Sequence, residues 1–419
     1  MRSVRVLLLA AAMTASGAAI TPSALAQGAS GGTGGAQPVR PAQPATQAQP
    51  ARGASPAAAA PVQGTSGKLP VDPRVVSGAL ANGLAYKVVR HAVPPGRAIV
   101  WIHVSTGSLN ETDRQRGIAH YLEHMAFNGS ENFKPGELIP FFQSLGLTFG
   151  RHQNAFTSFD QTTYQLSLPD NKPESLDKAL TFFADVAGRM LLLPAEIEEE
   201  RQVIMEEKRT RLGAQQRVQE ALLARLAPGS LLGQRLPIGV EETIMGVQEQ
   251  DFRDYYGKYY VPSNMTVMVV ADMDEQAVVE QIRTHFASFE NKPRPADQDA
   301  GFKADAAPTT TVEQYRRDLV EDLAAAAINQ RLDARVAAGG TPYLRAGIGA
   351  QEIQQAMRLV SMNASGEPGA WKEMLEAAVT EARRAQLHGV TQRELDEARA
   401  GLISRAEAAA ARESTLPAQ

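Results

Sequence analysis

The sequence predicts an α+β fold, because strand-like and helix-like segments occur in mixed clusters rather than in strict alternation. The strand candidates are short and rich in β-branched and aromatic residues or alternate with a period of two. They lie at residues 84–90, 98–104, 148–168 and 265–270. The helix candidates are longer and carry apolar residues at three- and four-residue spacing. They lie at residues 116–127, 136–145, 174–192, 194–212, 215–226, 275–286, 312–338, 371–387 and 391–411.

Local signals set the bounds of several of these elements. Asn82-Gly83 is a turn that precedes the first strand, and Gly107 ends the second. Pro194 stands near the start of its helix, where a missing backbone N–H costs nothing. Beyond residue 311 the strand candidates are few and short, so we expect little sheet in that part of the chain.

The first 26 residues have the features of a cleaved signal peptide. Arg2 and Arg5 form a positive start, residues 6–19 an apolar segment, and residues 24–26 a small-residue cleavage site. The apolar segment is too short and too rich in alanine to span a membrane, so we expect no stable membrane insertion. Export to the periplasm is predicted, with secretion as the second choice and an uncleaved anchor as the alternative.

Composition and charge predict the remaining organisation. Residues 27–68 are rich in Ala, Pro, Gln and Gly, so we expect a disordered linker there. After it we expect a first domain at 69–290, an interdomain linker at 291–311 and a second domain at 312–419. The chain has no cysteine, which excludes disulfides, cysteine zinc sites and a lipid-modified cysteine. With a formal net charge of −4 and no basic cluster, no nucleic-acid partner is expected.

The segment His120-Tyr121-Leu122-Glu123-His124 combines two metal-ligand residues and a carboxylate within five positions. On a helix, His120 and His124 stand at i and i+4, so both imidazoles project from one face. Neutral imidazoles are zinc ligands, and H-x-x-E-H is the inverzincin pattern. Glu123 is placed to hold a metal-bound water without being a ligand. Histidines on helices are usually surface or core residues, so the motif alone does not establish a metal site. A third ligand residue is needed to support one.

The acidic segment 196–209 offers a carboxylate that would complete a three-ligand zinc site. Glu200 and Glu207 share one helix face, and Glu199 and Glu206 share the neighbouring face. Periodicity does not choose between Glu206 and Glu207. A run of glutamates also commonly marks a solvated helix face.

The chain resembles the pitrilysin family of zinc metallopeptidases, the inverzincins, which includes insulin-degrading enzyme. It is most similar to the bacterial periplasmic zinc-protease branch. In that family a helix of pattern E-R-x-x-x-x-x-E follows H-x-x-E-H, and residues 200–207 fit that pattern. Residues 107–111, 125–129 and 154–160 also match.

The resemblance implies a role for each of these residues. It implies one Zn²⁺ per chain with His120, His124 and Glu207 as ligands, Glu123 as the catalytic base and Glu200 as a carboxylate behind the ligands. It also implies that a peptide lies along the edge strand that carries Asn154 and Ala155.

For the whole chain, the resemblance implies a zinc-dependent endopeptidase that hydrolyses peptides or unfolded polypeptides with a zinc-bound water activated by a glutamate. Its fold would be of the clamshell type, with one complete catalytic domain at 69–290 and a partial second domain at 312–419. Closing the cleft would need a homologous C-terminal half or a partner chain.

Two other functions remain open. The first is a non-catalytic peptide-binding or scaffold subunit of a pitrilysin-type complex, against which the intact His/Glu/His set argues. The second is a 2-His-1-carboxylate iron enzyme, which would not need Glu123. The remaining histidines are expected to be structural, exposed or at the cleft; they are His91, His103, His152, His285 and His388.

Overall fold

The computed structural model describes residues 8–9, 67–147, 152–211, 213–296, 298–301, 309–353 and 357–416. This part of the chain contains two β-sheets with helices packed against them, which confirms the α+β class. Apart from residues 8–9 and 67–68, the predicted signal peptide and the linker to residue 68 lie outside the described residues.

The elements are numbered in chain order. The strands are β1 (Leu8–Leu9), β2 (Val75–Ala79), β3 (Ala85–Arg90), β4 (Ala98–Val104), β5 (Gln153–Thr157), β6 (Thr162–Leu168), β7 (Met265–Ala271), β8 (Arg345–Ile353) and β9 (Met357–Ser365). The α-helices are α1 (Ile118–Met125), α2 (Leu138–Ser144), α3 (Pro173–Gly188), α4 (Pro194–Arg211), α5 (Ala214–Leu226), α6 (Glu241–Gly246), α7 (Glu249–Tyr259), α8 (Glu275–Phe286), α9 (Val312–Ala338), α10 (Trp371–His388) and α11 (Gln392–Arg412). Short 3-10 helices lie at Ser108–Asn110, Asp113–Gln115, Leu231–Gly233, Pro262–Asn264 and Glu413–Thr415.

The larger sheet has six strands in the order β2-β3-β7-β4-β6-β5. β3 and β7 are parallel, and every other neighbouring pair is antiparallel. β4 alternates between fully buried and partly buried side chains, as expected for a strand with one face in the core. Its buried residues join one apolar core with side chains of α1, α3, α7 and α8. β5 forms one edge of this sheet, next to α1.

The smaller sheet corrects the expectation of little sheet beyond residue 311. β8 and β9 are nine residues each and pair antiparallel along their whole length, and β1 pairs in parallel with Ser361 and Met362. The prediction was wrong because β8 contains Gly347, Gly349 and two alanines, residue types that are depleted in strands. Met362 and Ala364 nevertheless point into a core with α9 and α10.

Two regions of the described chain meet at the start of α9. Residue Lys68 forms a β-bridge with Thr311, and the Leu69 N–H donates to the Thr310 carbonyl at 2.9 Å. A separate contact joins the segment before β2 to the end of α11, where Arg74 forms an ion pair with Glu413 at 2.6 Å. The described residues of the predicted linker 291–311 contain no helix or strand. Among the described residues, no helix is long and apolar enough to cross a membrane.

Candidate metal centre

The helix α1, which carries the H-x-x-E-H motif, is buried on nearly all sides and is fixed at its first turn. Gly117 precedes it with φ of 100°, and a Cβ there would lie 2.9 Å from the Cα of Gly239, so this position needs glycine. The carboxylate of Glu111 accepts the backbone N–H groups of Gly117 and Ala119 at 2.9 Å each. Burial raises the pKa of Glu111 to about 8, although both N–H donors favour the ionised form. A buried carboxyl group therefore supplies the cap that α1 would otherwise lack.

The three predicted ligand residues come together between α1 and α4. One ligand atom each from His120, His124 and Glu207 lie within 4.8 Å of one another. The Oε2 atom of Glu207 is 3.6 Å from His120 Nε2 and 3.4 Å from His124 Nε2. Glu206 points elsewhere: it pairs with Arg209, and its side chain is 66% exposed. Of the two glutamates that periodicity left open, only Glu207 faces the histidines.

The geometry and chemistry of this donor set fit a zinc ion. Zinc–nitrogen bonds of about 2.0–2.1 Å in a tetrahedron separate neighbouring ligand atoms by about 3.3 Å, close to both distances at Glu207. The same distances are longer than ordinary N–H···O hydrogen bonds of about 2.7–3.2 Å. Two histidines and one glutamate also form the ligand set of a known class of catalytic zinc sites. His120 is 6% exposed, and its Nδ1 atom has no hydrogen-bond partner among the described residues.

Burial and neighbouring charges together set the pKa values of the three predicted ligand residues. Burial, with His124 as a neighbour, lowers the pKa of His120 to about 3. Burial would also lower the pKa of His124, but its bonds to Glu200 and Glu207 outweigh it and raise the value to about 9. Burial would raise the pKa of Glu207, but His124, His120 and Arg211 lower it to about 2. Without an ion, the Glu207 carboxylate is therefore ionised and favours a proton on His124, whereas His120 stays neutral.

The carboxylate of Glu200 lies behind His124. Its Oε1 atom is 2.8 Å from His124 Nδ1, and its Oε2 atom accepts the side-chain amide of Asn128 at 2.6 Å. A hydrogen bond to the nitrogen that does not face the metal is the usual way in which a ligand histidine is oriented. Glu200 therefore contacts His124 at the ring nitrogen that does not face Glu207.

Glu123 is 7% exposed and lies on the same helix between the two histidines. Burial raises its pKa to about 7. The hydroxyl of Thr157, the last residue of β5, donates a hydrogen bond of 2.6 Å to Glu123 Oε2. One oxygen of this carboxyl group is therefore held by the edge strand.

The strand β5 leads from this contact along the sheet edge. Asn154 is exposed, and its Oδ1 atom accepts the N–H of Ala155 at 2.9 Å. Within the described residues, no strand pairs with the outer edge of β5. Three other histidines form hydrogen bonds outside this site. His91 bonds to Leu416, His103 to Thr163 and His285 to Asp177.

Sequence reasoning assigned no role to four residues that contact either the predicted site residues or the start of α1: Glu111, Asn128, Thr157 and Arg211. The first three lie inside segments that match the family, so the signal was present. The roles of these three residues were hidden because each bonds to a residue at least six positions away in the sequence.

Comparison with known proteins identifies the family. Residues 87–236 match the profile of insulinase, peptidase family M16, and residues 246–339 match that of the peptidase M16 inactive domain. Together the two matches cover more than half of the chain. The chain belongs to this peptidase family. The second match begins before β7, a central strand of the six-stranded sheet, so the profile boundary does not coincide with the boundary between the sheets.

Two relatives of this chain are named as zinc proteases. The probable zinc protease PqqL of Escherichia coli is 34% identical over 254 residues, covering 61% of this chain and 26% of that protein. A zinc protease PQQL-like of Arabidopsis thaliana is 32% identical over 309 residues, covering 67% of this chain and 32% of that protein. This chain thus spans about a quarter to a third of these relatives.

A solved structure matches over most of the chain. The first half of the periplasmic protease PqqL from Escherichia coli superposes with a TM-score of 0.77 and 25% identity, covering 83% of this chain and 80% of that one. The prediction of a pitrilysin-type fold and family is confirmed. Family membership gives no support to the iron-enzyme alternative.

Proposed function

We propose that this chain is the catalytic part of a zinc-dependent endopeptidase, with one Zn²⁺ held by His120, His124 and Glu207. The observation that carries the proposal is the convergence of three ligand atoms around one point, with the buried carboxyl group of Glu123 on the same helix. The names of the relatives support zinc as the metal and peptide hydrolysis as the reaction.

The chemistry divides between the ion and the chain. Zinc at this site would polarise the scissile carbonyl and lower the pKa of a water ligand to about 7. Glu123 takes the proton from the attacking water and delivers it to the leaving amine nitrogen. A carboxyl group whose pKa lies near 7 is suited to both transfers. Thr157 holds Oε2 of Glu123, so we assign the proton transfers to Oε1.

The substrate would be an extended peptide or an unfolded polypeptide that adds to the outer edge of β5. Backbone hydrogen bonds along an edge strand hold a peptide largely independently of its sequence. Asn154 and Ala155 would form this contact, and the Ala155 N–H would have to leave Asn154 Oδ1 to donate to the peptide. Thr157, three residues after Asn154 on β5, bonds to Glu123, so a peptide on this edge would lead toward the proposed base.

The complete peptidase would need more than this chain. We propose a catalytic domain at 69–290 and a partial second domain at 312–419, with a homologous C-terminal half or partner chain closing the cleft. The coverage of about a quarter to a third of the relatives supports this arrangement. The periplasmic description of one relative supports export.

Substitution of Glu123 by glutamine tests the proposed reaction. We expect the variant to keep its zinc and its fold but to hydrolyse an unstructured peptide about 10²–10⁴-fold more slowly, because the general base is lost. The assay should use the chain together with any C-terminal continuation in its reading frame. Glu199→Gln, on the exposed face of α4, is the matched control and should retain the parent rate.

Two outcomes would contradict the proposal. Unchanged hydrolysis by Glu123→Gln would show that this residue is not the base. If the zinc-loaded parent cleaved no peptide across a broad set, the alternative of a peptide-binding subunit would replace the peptidase.

A further inference from the structure

Asn128 lies behind the metal centre, in the loop that follows α1. Its side-chain Nδ2 donates a hydrogen bond of 2.6 Å to Glu200 Oε2. The other oxygen of the same carboxylate lies 2.8 Å from His124 Nδ1. Both oxygens of Glu200 are therefore engaged, and the carboxylate bridges the loop and the ligand histidine.

We propose that Asn128 is a positioning residue for the metal, which fixes the Glu200 carboxylate and through it the orientation of His124. The inference rests on the proposed zinc site. His124 turns Nε2 toward Glu207, so the proton must sit on Nδ1, where Glu200 accepts it. If the Glu200 carboxylate were free to rotate, it would accept the Nδ1 proton less often, and the imidazole ring of His124 could turn.

An amide is suited to this task because it donates without bringing a charge. A lysine or arginine at position 128 would neutralise Glu200 and weaken it as an acceptor for His124. The neutral amide of Asn128 restrains the carboxylate and leaves its negative charge directed at the imidazole. This charge raises the basicity of the ligand and so favours metal binding.

The loop holds Asn128 firmly in place. The Asn128 backbone N–H donates to the Met125 carbonyl at 3.1 Å. Gly129 follows with φ of 116°, a left-handed conformation that favours glycine. Ser130 Oγ and the Asn132 backbone N–H then donate to the fully buried carboxylate of Asp185 on α3, at 2.6 and 2.9 Å. The side-chain amide of Asn128 is therefore fixed in position and can restrain Glu200 on α4.

Zinc affinity of the purified chain, measured by competition with a chromophoric chelator at pH 8, tests the inference. We expect Asn128→Ala to bind zinc about tenfold more weakly, at the lower end of the 10–100-fold range found for residues behind metal ligands. Asn128→Asp keeps the shape but places a second carboxylate against Glu200, so its loss should be larger. Asn171→Ala is the control, because this half-buried asparagine donates to the Asp272 carbonyl, far from the site.

A double-mutant cycle separates positioning from general loop structure. In a Glu200→Ala background, Asn128→Ala should cause no further loss of zinc affinity, because its route to His124 is already broken. The Tm of the metal-free Asn128→Ala chain should stay close to that of the parent.

Several results would overturn the inference. One is parent-like zinc affinity in both Asn128 variants. Another is a loss that persists in the Glu200→Ala background, which would mean that Asn128 acts by another route. These outcomes leave the proposed function intact. A parent chain that binds no zinc would instead overturn the metal site itself, and the role of Asn128 with it.

Discussion

At the scale of single residues, a threonine hydroxyl connects the sheet edge to the proposed base. Thr157 ends β5, and its Oγ1 atom donates to Glu123 Oε2 at 2.6 Å. Hydrogen bonds to charged groups contribute about 1.5–3 kcal/mol. The same strand carries the edge on which we place the peptide. The residue that holds the base is therefore three positions from Asn154.

Replacement of Thr157 by valine, which keeps the branched shape but removes the hydroxyl, should lower kcat about 10–100-fold. KM and zinc content should stay near the parent values, because neither the peptide edge nor a ligand is changed. Thr157→Ser should restore most of the rate, since the donor returns. Steady-state peptide hydrolysis together with metal analysis provides the measurement.

The matched control is Thr284→Val, which removes a hydroxyl from the exposed face of α8. Parent-like kcat in Thr157→Val would contradict the role of the hydroxyl. An equal loss in Thr157→Ser would point to packing rather than hydrogen bonding.

Most of the proposed ligand set could be predicted from the sequence, because it depends on local helix periodicity. His120 and His124 follow from their i, i+4 spacing. The third ligand could not be chosen from periodicity, because Glu206 and Glu207 differ only in the face they occupy. That difference is settled by how α4 packs on α1, with Glu207 facing the histidines and Glu206 facing solvent. Packing of this kind carries no signal in the local sequence.

At the scale of elements, strongly periodic segments were predicted well, whereas several shorter elements and both strands after residue 311 were missed. The predicted range 312–338 coincides with α9, and 98–104 coincides with β4. β2, α6 and α7 were not predicted, and each contains a glycine that weakens the local signal. In β8, glycine and alanine form a strand only because β9 and α9 cover it. Tertiary contacts override propensity in that case.

The start of α1 also could not be predicted from local sequence signals. Its cap comes from Glu111, six residues before Gly117 and outside the helix. The usual sequence signals for a helix start look for a capping side chain at the first position, where this chain has glycine. The element was therefore predicted from its periodicity and not from its cap.

At the scale of the whole molecule, we propose that this chain is the catalytic part of an exported, clamshell-type peptidase. The basic start, the apolar segment and residues 24–26 predict that the mature protein begins at Gln27 in the periplasm. N-terminal sequencing of the protein recovered from the periplasmic fraction measures this directly. A start at Met1 in a membrane fraction would contradict export by cleavage.

The central claim is that one zinc ion is held by His120, His124 and Glu207, and metal analysis of three purified proteins tests it most directly. The parent and Glu206→Gln should each contain one zinc per chain, because Glu206 faces solvent. Glu207→Gln should contain far less, because the carboxylate whose Oε2 atom lies 3.6 and 3.4 Å from the two histidine Nε2 atoms is neutralised. A zinc-free parent, or loss of zinc from Glu206→Gln with retention in Glu207→Gln, would contradict the account.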